Sequence, residues 1–330
     1  MAHGSTRVVI AALIGNSAIA VTKFIAATLT GSSAMFAEGI HSVVDTGNQT
    51  LLLVGLKRAA KPADKYHPFG YGKEIYFWAF VVAIILFALG AGVSIYEGVQ
   101  KVGDPHPLDN VIWNYVVLGF AMAFEAGAWW VAYREFNKTR GTLPLLRAVR
   151  RSKDPALFTV LFEDSAAMLG LVAAFIGIFC AAQFGILWAD GAATLVIGFI
   201  LAAAAIFLAI ETKGLLIGEA ADNGLVGDVV RLVAQQDFAS GVNEIRTIHF
   251  GPQDVLVNLS VDARNSVAAA EIEKGVSSIE RAIKAQHPEV TRVFIEIQGA
   301  QASAAQIVGR RGRRARAHSM SALPRSTTLS

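Results

Sequence analysis

His41 and Asp45 stand four residues apart inside an apolar run from Ser33 to Leu56. On a helix that spacing stacks the two side chains one turn apart on one face. Imidazole nitrogen with carboxylate oxygen is a usual ligand mix for a small divalent transition cation. Ionisable groups deep in hydrocarbon are costly, so a pair of this kind marks a functional site by default. The competing explanation is a polar pair that glues neighbouring helices together. A second source of carboxylates is Glu163-Asp164, in the apolar run from Ala156 to Ala182. Adjacent residues point about 100° apart on a helix. Asp164 is therefore assigned as the ligand, and Glu163 as its neighbour or as a fourth ligand.

Other polar groups lie in apolar runs. Lys23 needs a carboxylate partner there, and Glu38 is a candidate. Glu125 is either a proton carrier or the partner of Lys23; the residues leave both open. Asn16 is likewise embedded, and Asp190 opens the last apolar run. Asp64 and His67, between two runs, could hold a cation in a loop, or form a capped turn with a solvated imidazole.

These residues need spans to carry them. The chain is 54% hydrophobic and only 17% charged, with a mean hydropathy of +0.47. A soluble domain is charged at about a quarter of its positions. The apolar residues are also clumped into runs of membrane-crossing length. Six spans are expected, over Val8–Leu29, Ser33–Leu56, Ile75–Val99, Val111–Tyr133, Ala156–Ala182 and Ala189–Ile210. The run from Val8 is too long for a removable leader and lacks a small-residue cleavage site.

Charge orients the spans. Lys57, Arg58, Lys61, Lys65 and Lys73 crowd one connection. Arg134, Lys138, Arg140, Arg147, Arg150, Arg151 and Lys153 crowd another. The 100–110 connection instead sets Lys101 against Asp104 and Asp109. The excess of positive charge places the two basic loops and both termini in the cytoplasm.

Beyond Glu211 the periodicity changes. Leu225–Gln236 and Ala268–Gln286 read as amphipathic helices, and Glu244–Phe250, Val255–Val261 and Val290–Ile297 as strands. The fold class is thus an all-α six-helix transmembrane domain, 1–213, followed by a small α+β (α-β-β-α-β) cytoplasmic domain, 214–298. The latter is small enough to expect pairing with a second copy. The Arg-rich segment 299–330 reads as a disordered basic tail that touches anionic lipid.

Several functions lose their signatures. There is no Gly-rich phosphate loop ending in Lys-Ser/Thr and no His-Glu-x-x-His. One histidine in the spans is too few for axial haem ligation. Cys180 is alone, so no disulfide framework forms. No basic stripe interleaved with aromatics supports nucleic-acid binding.

The stretch Gly31-Ser32-Ser33-Ala34-Met35-Phe36-Ala37-Glu38-Gly39-Ile40-His41-Ser42-Val43-Val44-Asp45 resembles the cation diffusion facilitator family of metal/proton antiporters. So do Lys61-Pro62-Ala63-Asp64 and His67-Pro68-Phe69-Gly70-Tyr71-Gly72-Lys73-Glu74. The likeness extends over about Val8 to Ile297 and includes the six-span plan with its small C-terminal domain. It implies a homodimer that exchanges a divalent cation, usually zinc, for protons, and no enzyme activity or resident cofactor. Family members take two ligands four apart from span two and two from span five. His41 and Asp45 match the first pair and Asp164 one member of the second. Val160 stands at the remaining position, and the Glu163-Asp164 wording resembles a divergent branch. Tyr71 stands where many members have His. His249, Asp262 and Glu296 are the ligand types in the C-terminal domain, but Leu259 occupies a position that holds metal elsewhere. That domain is expected to dimerise without a full binuclear cluster. The expected role is export of a divalent metal, zinc first, from the cytoplasm across a bacterial inner membrane. A membrane-bound metal sensor or scaffold, which binds the ion without moving it, is the alternative.

Overall fold

The computed structural model describes residues 2–30, 33–106 and 111–300; the side chains at 2, 3, 26, 27, 29, 30, 33–41 and 139 lie outside the described residues. The chain divides into two compact units, one essentially Met1–Gly218 and one that begins at Glu219.

The first unit is helical. α1 covers Ala2–Thr30 and α2 Ser33–Ala59. α3, Glu74–Ile85, runs through a π-helical stretch, Leu86–Ala91, into α4, Gly92–Gly103. α5, Val111–Arg140, is followed by the short α6, Leu145–Arg151, then α7, Pro155–Phe184, and α8, Trp188–Ile217. Among the described residues five helical segments are long and apolar enough to cross a membrane: Gly4–Ile25, Glu74–Gly103, Val111–Lys138, Pro155–Phe184 and Trp188–Ile217. The second expected span, Ser33–Leu56, falls within α2, a 27-residue helix that is not among these five and whose first third has side chains outside the described residues.

Local signals explain the helix ends. Asp154 caps α7, accepting from the Leu157 backbone N–H, with Pro155 in the first turn. Gly185 ends α7 with φ at 67°, a left-handed cap that a side chain would disfavour. α5 continues past the expected end at Tyr133 because hydrophobicity limits the span, not the helix. Its extension beyond Tyr133 carries a Glu135–Lys138 ion pair at i, i+3, and Arg140 lies 5.8 Å over the Tyr133 ring.

Packing in this unit uses small residues. α4 and α8 approach closely enough that a Cβ on Gly191 would lie 2.7 Å from the Val102 backbone nitrogen. A Cβ on Gly198 would lie 3.0 Å from that of Ile95. Close backbone approach of this kind drives helix association where no hydrophobic effect operates between helices. The opposite side of α8 exposes Val196, Phe199, Ile206, Ile210 and Ile217. A helix apolar all round, with its outer stripe uncovered, suits lipid. The chain is a multi-pass membrane protein.

The second unit holds α9, Asn223–Ala234, β1, Ala239–Gly251, β2, Asp254–Ala263, α10, Ala269–Gln286, and β3, Val290–Ile297. The sheet order is β1-β2-β3, with β2 and β3 parallel from Val255↔Val290 to Val261↔Ile297. A parallel pair needs a crossover, and α10 supplies it. Val255, Val257, Leu259 and Val261 alternate onto one buried face. They join Leu225, Val229 and Val233 of α9 and Ile279 and Ile283 of α10 in a single core. Leu259 is therefore a core residue. β1 starts earlier than the expected Glu244 because Ala239 is buried, Val242 packs on the core, and the Asn243 side chain donates to the Gln298 carbonyl at 2.6 Å.

Candidate metal centre

α2 contributes one polar stripe. Asp45, Asn48 and Gln49 follow each other at i, i+3 and i+4, so they share a face. Asp45 is half-buried; Asn48 and Gln49 are fully buried. His41 belongs to the same helix one turn earlier, and its side chain lies outside the described residues. Glu38, the expected partner of Lys23, lies outside them too.

α7 contributes Glu163 and Asp164, which are 5% and 1% exposed. Their adjacency sends them to different partners. Glu163 Oε1 accepts from Asn48 Nδ2 at 2.8 Å, and its Oε2 accepts from Gln49 Nε2 at 3.1 Å. Both oxygens are thus held by amides of α2, and the pair of bonds fastens α7 to that helix. Asp164 Oδ2 is buried with no hydrogen-bond partner among the described residues. A buried polar atom left in this condition is costly and needs an explanation.

α5 and α1 complete the surroundings. Glu125 of α5 is buried, and so are Lys23 and Asn16 of α1. The charges of Asp45, Glu125, Glu163 and Asp164 lie within electrostatic reach of one another, and Lys23 lies within reach of Glu125. The structure thus brings Asp45, Glu163 and Asp164 into one polar interior. Among the described residues no three His, Cys, Asp or Glu side chains are already grouped as a metal-holding set. Val160, at the position left vacant in the ligand pattern, is fully buried in the apolar core.

Sequence reasoning passed over Asn48 and Gln49. The signal was present: two amides in an apolar helix at i+3 and i+4 from a candidate ligand.

The loop site differs from the interior. Asp64 Oδ1 accepts from the backbone N–H groups of Tyr66 and His67, each at 2.8 Å, and its Oδ2 accepts from the Tyr71 hydroxyl at 2.7 Å. The His67 ring stands 4.2 Å from the Tyr71 ring, and its Nδ1 is 3.7 Å from Asp64. The Tyr71 hydrogen bond, with the two backbone donors, holds Asp64 below the usual carboxylate range. The same bond pushes the Tyr71 phenol up. This is the capped turn with a solvated imidazole weighed against a cation site.

In the C-terminal unit the expected ligand types are separate fixtures. His249 is buried, Glu296 is exposed, and Asp262 accepts from the Ala300 N–H. His287, which sequence reasoning did not single out, bridges Asp228 at 3.1 Å and Glu289 at 3.4 Å.

The model of the cation efflux transmembrane domain matches residues 9–217. The mitochondrial proton-coupled zinc antiporter SLC30A9 of Xenopus laevis is 30% identical over 78% of this chain and 47% of its own length. Metal tolerance protein C4 of Arabidopsis thaliana is 29% identical, over 78% of this chain and 57% of that protein. The chain thus spans only about half the length of these two relatives. The manganese efflux system protein MneP of Bacillus subtilis is 24% identical over 89% of this chain and 95% of its own. With a helical unit matched almost end to end, and acids from α2 and α7 facing one interior, the chain belongs to the cation efflux family, the cation diffusion facilitators.

Proposed function

We propose that this chain exports a divalent transition-metal cation, zinc first, from the cytoplasm in exchange for protons. One observation supports this most: Asp164 of α7 presents a buried, unpartnered oxygen within reach of the Asp45 charge from α2. A cation shared between the two helices would relieve that cost. His41, Asp45 and Asp164 are the proposed ligands. Binding the ion requires them to be deprotonated, so loading on the cytoplasmic side releases protons. The site then turns to the other face by alternating access. Protons arriving there compete for the imidazole and carboxylates and free the ion; histidine suits this exchange because it titrates near neutrality.

The protein works in this reading as a homodimer in a bacterial inner membrane, with six spans, both termini cytoplasmic and the C-terminal unit pairing between copies. Zinc is named in one relative and manganese in another, and imidazole with carboxylates accommodates both.

The test is metal uptake into sealed proteoliposomes of the full chain under a pH gradient, with zinc and manganese each supplied alone. His41→Ala, Asp45→Ala and Asp164→Asn should abolish both metal uptake and the coupled proton flux. Uptake at the unmutated level in all three refutes the assignment. Metal binding without any uptake by the native chain would instead establish a sensor or scaffold.

A further inference from the structure

Glu125 of α5 is 8% exposed, and its Oε2 is buried with no hydrogen-bond partner among the described residues. Asp164 Oδ2, on α7, is in the same condition. The two helices pack on each other. Their contact is pinned by the Trp129 indole N–H, which donates to Ser165 Oγ at 2.8 Å. Trp129 lies one turn beyond Glu125, and Ser165 follows Asp164 directly. The hydrogen bond therefore fixes both acids near one helix–helix contact, where their charges act on each other and on Asp45.

Glu163 offers the contrast. Both of its oxygens already accept from the buried amides of Asn48 and Gln49. Turning Glu163 toward a cation would strand two buried donors, whereas turning Glu125 would strand none at its free oxygen. Burying two unpartnered carboxylate oxygens within electrostatic reach of each other is unfavourable, and a shared cation offsets it.

We propose that Glu125 supplies the further oxygen ligand of the transported divalent cation, and that Glu163, read from the sequence as neighbour or fourth ligand, is a positioning residue that holds α2 against α7. The ion would then be held by three helices, α2, α5 and α7, with one imidazole and three carboxylates. A carboxylate-rich set of this kind admits manganese beside zinc, since carboxylates suit manganese and imidazole suits zinc. Lys23 faces Glu125 from α1 and competes with the cation for it. The proposal rests on the transporter reading, with Asp164 as a ligand.

The test uses the full chain in proteoliposomes, with zinc or manganese as the only divalent ion and uptake measured against its concentration. Thermal unfolding in detergent checks that each variant is folded. Glu125→Gln should raise KM for manganese at least tenfold and for zinc by less. Glu125→His, which keeps a ligand but changes its type, should shift the zinc-to-manganese KM ratio toward zinc; it also carries the test where Glu125→Gln does not fold. A purely structural role for Glu125 would leave that ratio where it is. Unchanged KM values and an unchanged ratio, with Asp164→Asn inactive, overturn the role of Glu125 alone. Normal uptake by Asp164→Asn overturns the transporter site itself.

Discussion

Asn48 of α2 and Glu163 of α7 are joined by a buried hydrogen bond of 2.8 Å, amide to carboxylate, 115 residues apart in the chain. Gln49, the next residue, takes the other oxygen. A buried hydrogen bond is worth about 0.5–1.5 kcal/mol, and leaving its buried partner unpaired costs about 1–3 kcal/mol. Asn48→Ala should therefore lower stability by about 2 kcal/mol. Because Asn48 and Gln49 serve one carboxylate, the double variant should depart from the sum of the two singles. Chemical or thermal unfolding of the three variants in detergent checks this; additive effects would mean that the two amides act independently.

How far this could be read from the chain alone differs by element. Asp45 and Asp164 stand out in the chain because acids in apolar runs have few explanations, and the structure places both in the polar interior. The amide clamp does not, since Asn and Gln carry no charge and blend into a polar stripe. The partners of Glu163 were hidden by the same gap: helix geometry separates it from Asp164, but only the amides of another helix show what its oxygens accept from. In the C-terminal unit the alternation of Val255, Val257, Leu259 and Val261 announced β2 and its buried face, whereas β1 began five residues early. There, burial of Ala239 and a bond from Asn243 continue the strand beyond its β-branched stretch.

Asp154 joins two helix starts. Its side chain caps α7 at the Leu157 N–H, 3.3 Å away, and accepts from the buried Ser5 hydroxyl of α1. A negative charge there also meets the positive end of the helix dipole. Asp154→Ala should cost about 1–2 kcal/mol from the cap alone. Asp154→Asn keeps the cap geometry and should recover most of it. Unfolding midpoints of the pair decide the matter; equal losses would assign the effect to charge rather than to capping.

Two glycines predict opposite outcomes for the same substitution. At Gly191 an added methyl meets the Val102 backbone nitrogen at 2.7 Å, which neither helix can yield without separating. Gly191→Ala should therefore destabilise by about 1–3 kcal/mol, the usual cost of overpacking. At Gly119 of α5 nothing lies within 4 Å of the new methyl. Gly119→Ala should be neutral or stabilising by up to about 1 kcal/mol, from helix propensity. Unfolding midpoints that fall equally for both would sink the close approach of α4 and α8.

The loop at Asp64 makes a prediction in pH. Its carboxyl is held below the usual range, first by the Tyr71 hydroxyl and then by the His67 and Tyr66 N–H groups. For a depressed acid, the stabilisation is complete above the unfolded value, about 3.9, and disappears as pH falls through the lower folded value. At neutral pH the turn is thus fully held and insensitive to small changes. The Tyr71 phenol is displaced the other way, since losing its proton would set a phenolate against the Asp64 carboxylate. Phenolate absorbance in alkaline titration, taken as the difference between native protein and Tyr71→Phe, should show Tyr71 ionising above the ordinary value of about 10. Asp64→Asn should bring it back down. A Tyr71 titration that ignores that change would show that the hydroxyl does not rest on Asp64, and the loop would again be open to a cation.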